Sequence, residues 1–276
     1  MIKATYTLQE GDRHMARLVS YFSAGVPSAV ATKLALTANQ WPEGCDEFVI
    51  YNFEVKEEHP DNARFLRECE EWFGHPIITV GNDEYGRSAH EVIRRERYLV
   101  GPGGARCTGE LKKAMRWEVG RPDDVIVMGY TREEAHRPAR LLESEPLLQM
   151  WNILIERDLS REDVMGAFGR TGIELPEMYR MGYRNNNCIG CVKGQAGYWN
   201  KIKVDFPEVF AEMARIEREL GRTICKREWT DENGHRQLER IYLDELPPEL
   251  GDYPTEAEFQ CGIFCQMAAQ DFDSAA

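Results

Sequence analysis

The chain of 276 residues is long enough to bury a full core, and 42% hydrophobic with 29% charged residues is the composition of a soluble globular protein. A formal net charge of −13 disfavours general binding to nucleic acid, so such a partner would have to meet a local basic patch. No apolar run approaches the ~20 residues of a membrane helix, and the opening MIKATYTLQEGD lacks the apolar centre of an export signal, so a cytoplasmic, membrane-free setting is expected.

Residues 14–22 end in an apolar, aromatic run, break at a Ser/Gly turn and continue into an alanine- and leucine-rich stretch, 28–38. That order predicts strand, tight turn and helix. Further strands are expected at 48–51, 77–80 and 124–128, with a helix over 61–73. Strands alternating with helices predict an α/β fold with a doubly wound, mostly parallel sheet. Beyond about residue 140 the pattern changes to helical segments, clearest at 147–157 and 207–220, followed by a strand at 240–243. Two units are therefore expected: a nucleotide-binding core over 1–140, and a helical, cysteine-rich, metal-binding lobe over 141–276.

The turn Ser23-Ala24-Gly25-Val26-Pro27-Ser28 has what a phosphate requires. Small residues allow close backbone approach, free amides face the oxygens, and the helix dipole favours negative charge. Pro27 suits the first helical turn, and Ser23 and Ser28 can add hydroxyl hydrogen bonds. After the fourth strand, Arg132, Glu134, His136 and Arg137 stand at the carboxyl edge of the sheet, where α/β proteins bind ligands. The planar fork of Arg137 can hold two phosphate or sulfate oxygens. Asp61 reads as the cap of the helix that follows it.

The eight cysteines include Cys188-Ile189-Gly190-Cys191 and Cys261-Gly262-Ile263-Phe264-Cys265. In a reducing compartment such spacing reads as metal ligation or redox chemistry, and four thiolates would suit zinc or an iron–sulfur cluster alike. Cys107 precedes an expected helix bearing Lys112, Lys113 and Arg116, a setting that favours thiolate and makes it a candidate nucleophile, sulfur carrier or third ligand. Cys45 and Cys69 read as packing residues. Tyr183, Tyr198 and Trp199 beside Lys193, Lys201 and Lys203 could stack on a nucleic-acid strand, or simply cover the cysteine knuckle.

Several of these segments together resemble the superfamily of phosphoadenosine phosphosulfate (PAPS) reductases and N-type ATP pyrophosphatases. The loop is similar to its Ser-Gly-Gly-x-Asp-Ser. Residues 58–62, EHPDN, follow the second strand where that superfamily has Glu-x-Pro-x-Thr-like residues. Arg106-Cys107-Thr108-Gly109-Glu110-Leu111-Lys112 is similar to its Arg-Cys-x-x-x-Leu-Lys, and residues 129–137 to its Gly-x-x-x-x-Glu-x-x-Arg.

The resemblance implies an enzyme that binds ATP or a PAPS-type adenine nucleotide, with magnesium as a candidate companion. It activates a substrate by adenylation and passes sulfur through a cluster at Cys107, Cys188 and Cys191, with Lys112 and Arg137 stabilising charge on phosphorus. The nucleotide contacts it implies are Ser23, Ala24, Gly25, Val26, Ser28, Tyr51, Gly129 and Arg137. The metal ligands would come from Cys107, Cys188, Cys191, Cys261 and Cys265. The second substrate stays open, a nucleic acid among the candidates, as does a homo-oligomer.

Ala24 stands in place of a glycine, and Pro27 in place of the aspartate associated with the magnesium nucleotide. Two alternatives follow: a sulfonucleotide reductase, for which residues 260–265 partly match a Glu-Cys-Gly-x-His motif, and a non-catalytic nucleotide-binding regulator or phage-type accessory protein.

Overall fold

A computed structural model of the protein describes residues 16–101, 103–253 and 272. The chain begins with β1 (Ala16–Tyr21), α1 (Val26–Leu36), β2 (Cys45–Phe53), α2 (Asn62–Phe73), β3 (Ile77–Val80) and α3 (Ala89–Glu96). A two-residue hairpin, β4 (Val100–Gly101) and β5 (Gly104–Ala105), leads into a helical stretch made of α4 (Arg106–Thr108), a π-turn at Gly109–Lys113 and α5 (Ala114–Val119). Next come β6 (Val125–Val127), α6 (His136–Ser144), β7 (Gln149–Trp151), α7 (Ile153–Glu156) and α8 (Arg161–Gly169). The remainder holds α9 (Glu177–Arg180), α10 (Ala196–Asp205), α11 (Pro207–Leu220) and the antiparallel hairpin β8 (Cys225–Thr230) with β9 (Arg236–Ile241).

Five strands form one parallel sheet in the order β3-β2-β1-β6-β7, flanked by helices, which makes this an α/β fold. The period of two along β1 sends Leu18 to one face and Val19 and Tyr21 to the other. On the first face α1 is covered on nearly every side, because it lies among the sheet, α2, α7 and α8. The second helix shows the spacing of a one-sided helix: Phe65, Cys69 and Phe73 are buried at intervals of four, and Gly74 ends it at φ 65°. Beneath the sheet, Arg17 donates to both carboxylate oxygens of Asp124, at 2.8 and 2.7 Å, locking β1 to the start of β6.

The helix expected over 147–157 is instead a strand followed by a short helix. Met150 and Trp151 pack on opposite faces of the sheet, the alternation of a strand, and the pairing of β7 with β6 decides the conformation. The boundary expected near residue 140 accordingly falls inside the α/β unit, since β7 extends the sheet and α8 packs on α1. A second apolar cluster joins Ile93 and Leu99 to residues from Met178 through Leu246, with Trp199 and Tyr183 fully buried in it. Among the described residues no helix is long and apolar enough to cross a membrane.

Candidate functional site

Strand order reverses around β1, with β2 on one side and β6 on the other. The carboxyl end of such a pair opens a crevice where parallel sheets receive ligands, and the loop 23–28 stands there. Ala24 adopts φ +54°, a left-handed conformation that a β-carbon disfavours. Gly25 is extended, and Pro27 lies in the first turn of α1. Ser28 Oγ donates to the Gly25 carbonyl at 2.8 Å and accepts from the Ser23 amide at 3.2 Å, with the Ser23 hydroxyl 3.0 Å away. The two hydroxyls expected to meet a phosphate thus brace the loop itself. Among the described residues the amides of Ala24, Gly25 and Val26 donate to no protein acceptor, and the first turn of α1 carries no acidic residue. Unpaired amides and the dipole of α1 favour an anion at this end.

Two contacts from distant segments fix the loop. Gly129, just beyond β6, is so close that a β-carbon there would fall 2.4 Å from the Ser28 amide nitrogen and 2.5 Å from the Pro27 carbonyl carbon. From the other side Asn186 Nδ2 donates to the Ala24 carbonyl and to Asn62 Oδ1, each at 2.7 Å. Asn62 in turn donates to Glu58 Oε2 at 3.2 Å, and Lys112 Nζ stands 3.4 Å from Glu58 Oε1. Burial raises the Glu58 pKa, against the pull of Lys112 and Asn62. Burial opposes the charge of Lys112, but Glu58 and then Cys188 outweigh it and leave its pKa raised.

Cys107, Cys188 and Cys191 share one neighbourhood at the far end of this chain of contacts: a charge on Cys191 opposes ionisation of Cys107, and charges on Cys191 and Cys107 oppose that of Cys188. The knuckle is held by Tyr198, whose hydroxyl accepts from the Cys191 amide at 3.0 Å and donates to the Cys188 carbonyl at 3.3 Å, and by the Ile189 amide bonded to the Glu57 carbonyl. Gly190 takes φ +73°, and a β-carbon there would lie 2.7 Å from Val209, so the turn needs glycine. The helix start was expected to favour a Cys107 thiolate. Burial dominates instead and raises its pKa, with only partial relief from Lys193, the Thr108 amide and Lys112. Burial raises Cys188 further. Among the described residues no group of three or more His, Cys, Asp or Glu side chains is set to hold a metal ion. Cys261 and Cys265, the other expected ligands, lie outside the described residues.

A cavity of about 640 Å³ opens between the segment after β6 and the cysteine knuckle, within the size range of small-molecule sites. Thr131, Glu133 and Glu134 line it from the end of β6, and Arg184, Cys191 and Lys193 from the knuckle side. Asn185 and Asn187, the neighbours of Asn186, also line it. Of these three cysteines, Cys191 lines this space.

Other expected site residues are placed differently. The Tyr51 side chain packs with Val19, Tyr21, Val49 and Ile126, because its position on β2 turns it to the second face of the sheet. Arg137 is exposed, pairs with Glu134 and lies 4.9 Å over the Tyr130 ring, so its fork is engaged at the rim. Asp61 does not cap α2 with its side chain. It binds Arg64 at 2.7 and 2.8 Å and accepts from the Glu177 amide at 2.8 Å. Tyr183 and Trp199 belong to the core, Tyr198 is bonded to the knuckle, and Lys201 pairs with Asp205 at 2.9 Å. Cys69 is fully buried in the first cluster, the packing role expected of it.

Neither Asn62, within residues 58–62, nor Asn186, two positions before Cys188, stands out in the sequence, because an asparagine carries no charge or metal-binding signature. Comparison of the chain with known families, curated proteins and solved structures finds no match.

Proposed function

We propose that the chain is an adenine-nucleotide-dependent enzyme of the kind its motifs resemble, built on a doubly wound sheet whose β1–α1 loop holds the nucleotide phosphates. The observation that carries this reading is the set of amides of Ala24, Gly25 and Val26 that, among the described residues, have no protein acceptor at the reversal of strand order. In the proposed reaction an oxygen of the acceptor attacks the α-phosphorus of ATP. The new P–O bond forms as the bond to the bridging oxygen breaks, and pyrophosphate leaves with that electron pair. The loop amides and the dipole of α1 stabilise the charge that develops on the phosphoryl oxygens. The cavity lined by Thr131, Asn185, Asn187 and Cys191 would accommodate the acceptor, with Cys191 as the thiol that meets an activated product.

Zinc or an iron–sulfur cluster on Cys107, Cys188 and Cys191, completed by Cys261 or Cys265, is part of the same proposal. The adenylation does not pass through it, since the thiols among the described residues do not form a metal centre by themselves. A cavity-facing Cys191 also favours a second reading, a sulfonucleotide reductase. There the thiolate attacks the sulfur of a sulfonucleotide, an S–S bond forms, and the S–O bond breaks to release the nucleoside phosphate.

Calorimetric titration with ATP, pyrophosphate and PAPS tests the first claim: binding of ATP and of pyrophosphate is expected, and failure of all three to bind rejects it. Pyrophosphate release from ATP and nucleotide release from PAPS then separate the two reactions.

A further inference from the structure

Ala24 poses a physical problem. Its φ of +54° is a conformation that an L-residue with a β-carbon avoids and glycine adopts freely. A peptide in this setting tends to flip, and flipping would turn the Gly25 amide. The chain nevertheless keeps alanine here, so another group must hold the peptide.

Asn186 is that group. It lies 162 positions away in the chain, and its Nδ2 donates to the Ala24 carbonyl at 2.7 Å. The same nitrogen donates to Asn62 Oδ1 at 2.7 Å, so both of its protons are used and the carboxamide has one favourable orientation. Asn186 is only 7% exposed, and its Oδ1 is buried without a partner among the described residues. An orphaned acceptor disfavours this placement. The side chain keeps it because its two donated bonds fix something else.

What they fix follows from peptide planarity. In a trans peptide the carbonyl and the next amide point in opposite directions. Anchoring the Ala24 carbonyl to Asn186 therefore aims the Gly25 N–H away from Asn186. Among the described residues that amide has no protein acceptor. Gly129 closes the opposite flank against Ser28 and Pro27 and leaves the loop little room to adjust otherwise.

We infer that Asn186 is a positioning residue of the nucleotide site: it locks the Ala24–Gly25 peptide so that the Gly25 amide faces the anion, and so replaces the conformational freedom of the missing glycine. The inference rests on the phosphate-binding reading of the loop. It extends the site to the segment that carries the cysteine knuckle, only two residues from Cys188.

The test is calorimetric titration of the full chain with pyrophosphate and with ATP, alongside thermal melting. Asn186→Ala is expected to raise the Kd for both ligands about tenfold, the scale of one lost hydrogen bond. Ala24→Gly placed in the Asn186→Ala protein is expected to restore most of that affinity, since glycine accepts the left-handed conformation unaided. A purely structural role would lower the melting temperature without such a rescue. If Asn186→Ala does not fold, Asn62→Ala, which removes one of the two anchors, is expected to weaken both ligands by a smaller factor. A folded Asn186→Ala or Asn62→Ala protein with unchanged Kd, or an affinity loss that Ala24→Gly leaves in place, overturns the inference while the nucleotide reading stands. Failure of the unaltered protein to bind either ligand overturns both.

Discussion

Gly129 and Ser28 are in backbone contact: no β-carbon fits at Gly129, because it would fall 2.4 Å from the Ser28 amide nitrogen. The obstruction is main chain on both sides, so no rotamer change relieves it. Gly129→Ala must push β6 and the start of α1 apart, at a cost of about 1–3 kcal/mol in stability, the usual range for overpacking. Because the displaced atoms belong to the loop proposed to hold the nucleotide phosphates, that proposal requires ATP affinity to fall as well, by about tenfold or more. Urea denaturation and calorimetric titration of the same variant measure the two effects. Full affinity in a destabilised Gly129→Ala protein would separate the loop from the binding site.

Much of the α/β unit was legible because its signals are local. The apolar run before Ser23, the small residues of the turn and the helix behind it each carry the pattern of their own conformation. β7 was not legible in this way. Three residues, Gln149, Met150 and Trp151, are too few for periodicity to separate strand from helix, and their strand conformation depends on pairing with β6. The site divides along the same line. Gly129 and the loop stood out by residue type, and Cys188 and Cys191 by spacing. Asn186, Asn62 and the cavity depend on segments far apart in the chain, which only tertiary packing brings together. Tyr51 shows the converse. The resemblance implies a nucleotide contact there, but alternation along β2 sends its side chain to the second face of the sheet.

The buried pair of Arg17 and Asp124 governs stability more than activity. Both side chains are almost fully shielded, at 6% and 3% exposure, and Asp124 also accepts from the Arg121 amide at 2.7 Å. The hydrogen bond to Asp124 is the chief cause of the raised Arg17 pKa, so the arginine stays charged. Asp124→Ala leaves that charge buried without its counter-ion and should cost about 3–5 kcal/mol. Replacing both, with Arg17→Met and Asp124→Leu, should recover most of the loss. Urea denaturation of the three variants decides, and a double variant no more stable than Asp124→Ala would mean that the pair does more than neutralise itself.

Alkylation should discriminate among the cysteines. Cys191 faces the cavity, whereas burial raises the thiol pKa of Cys107, Cys188 and Cys69. After treatment with a chelator, iodoacetamide at pH 8 should label Cys191 first and Cys69 last, because the thiolate is the reacting form. Peptide mapping by mass spectrometry gives the order. Faster labelling of Cys107 than of Cys191 would point to Cys107 as the reactive thiol. Metal and sulfide analysis before chelation bears separately on the zinc and cluster proposals.

The clearest pH dependence should come from Glu217 on α11. Its side chain is fully buried, and the amides of Ile224 and Leu243 donate to it. Burial raises its pKa from 4.5 to about 7, the two amides and Arg218 pulling it down and Asp244 pushing it up. A carboxyl raised in this way stabilises the folded protein most fully below 4.5, where both states are protonated, and loses that contribution as pH rises through 7. Groups with depressed pKa, such as Asp61 and Asp244, act in the opposite sense, but their contributions are complete above pH 5. The raised Glu58 pKa acts in the same sense as Glu217, and the lowered pKa of His90 in the opposite one, so a reference protein lacking only the Glu217 titration is needed. Glu217→Gln is that reference, since glutamine is neutral throughout. Between pH 5 and pH 8 the unaltered protein should lose roughly 2–3 kcal/mol relative to Glu217→Gln, because folded and unfolded pKa values one pH unit apart correspond to about 1.4 kcal/mol. Urea denaturation of both proteins at the two pH values reads this difference directly, and a stability gap that stays constant across the range would show that Glu217 does not titrate there.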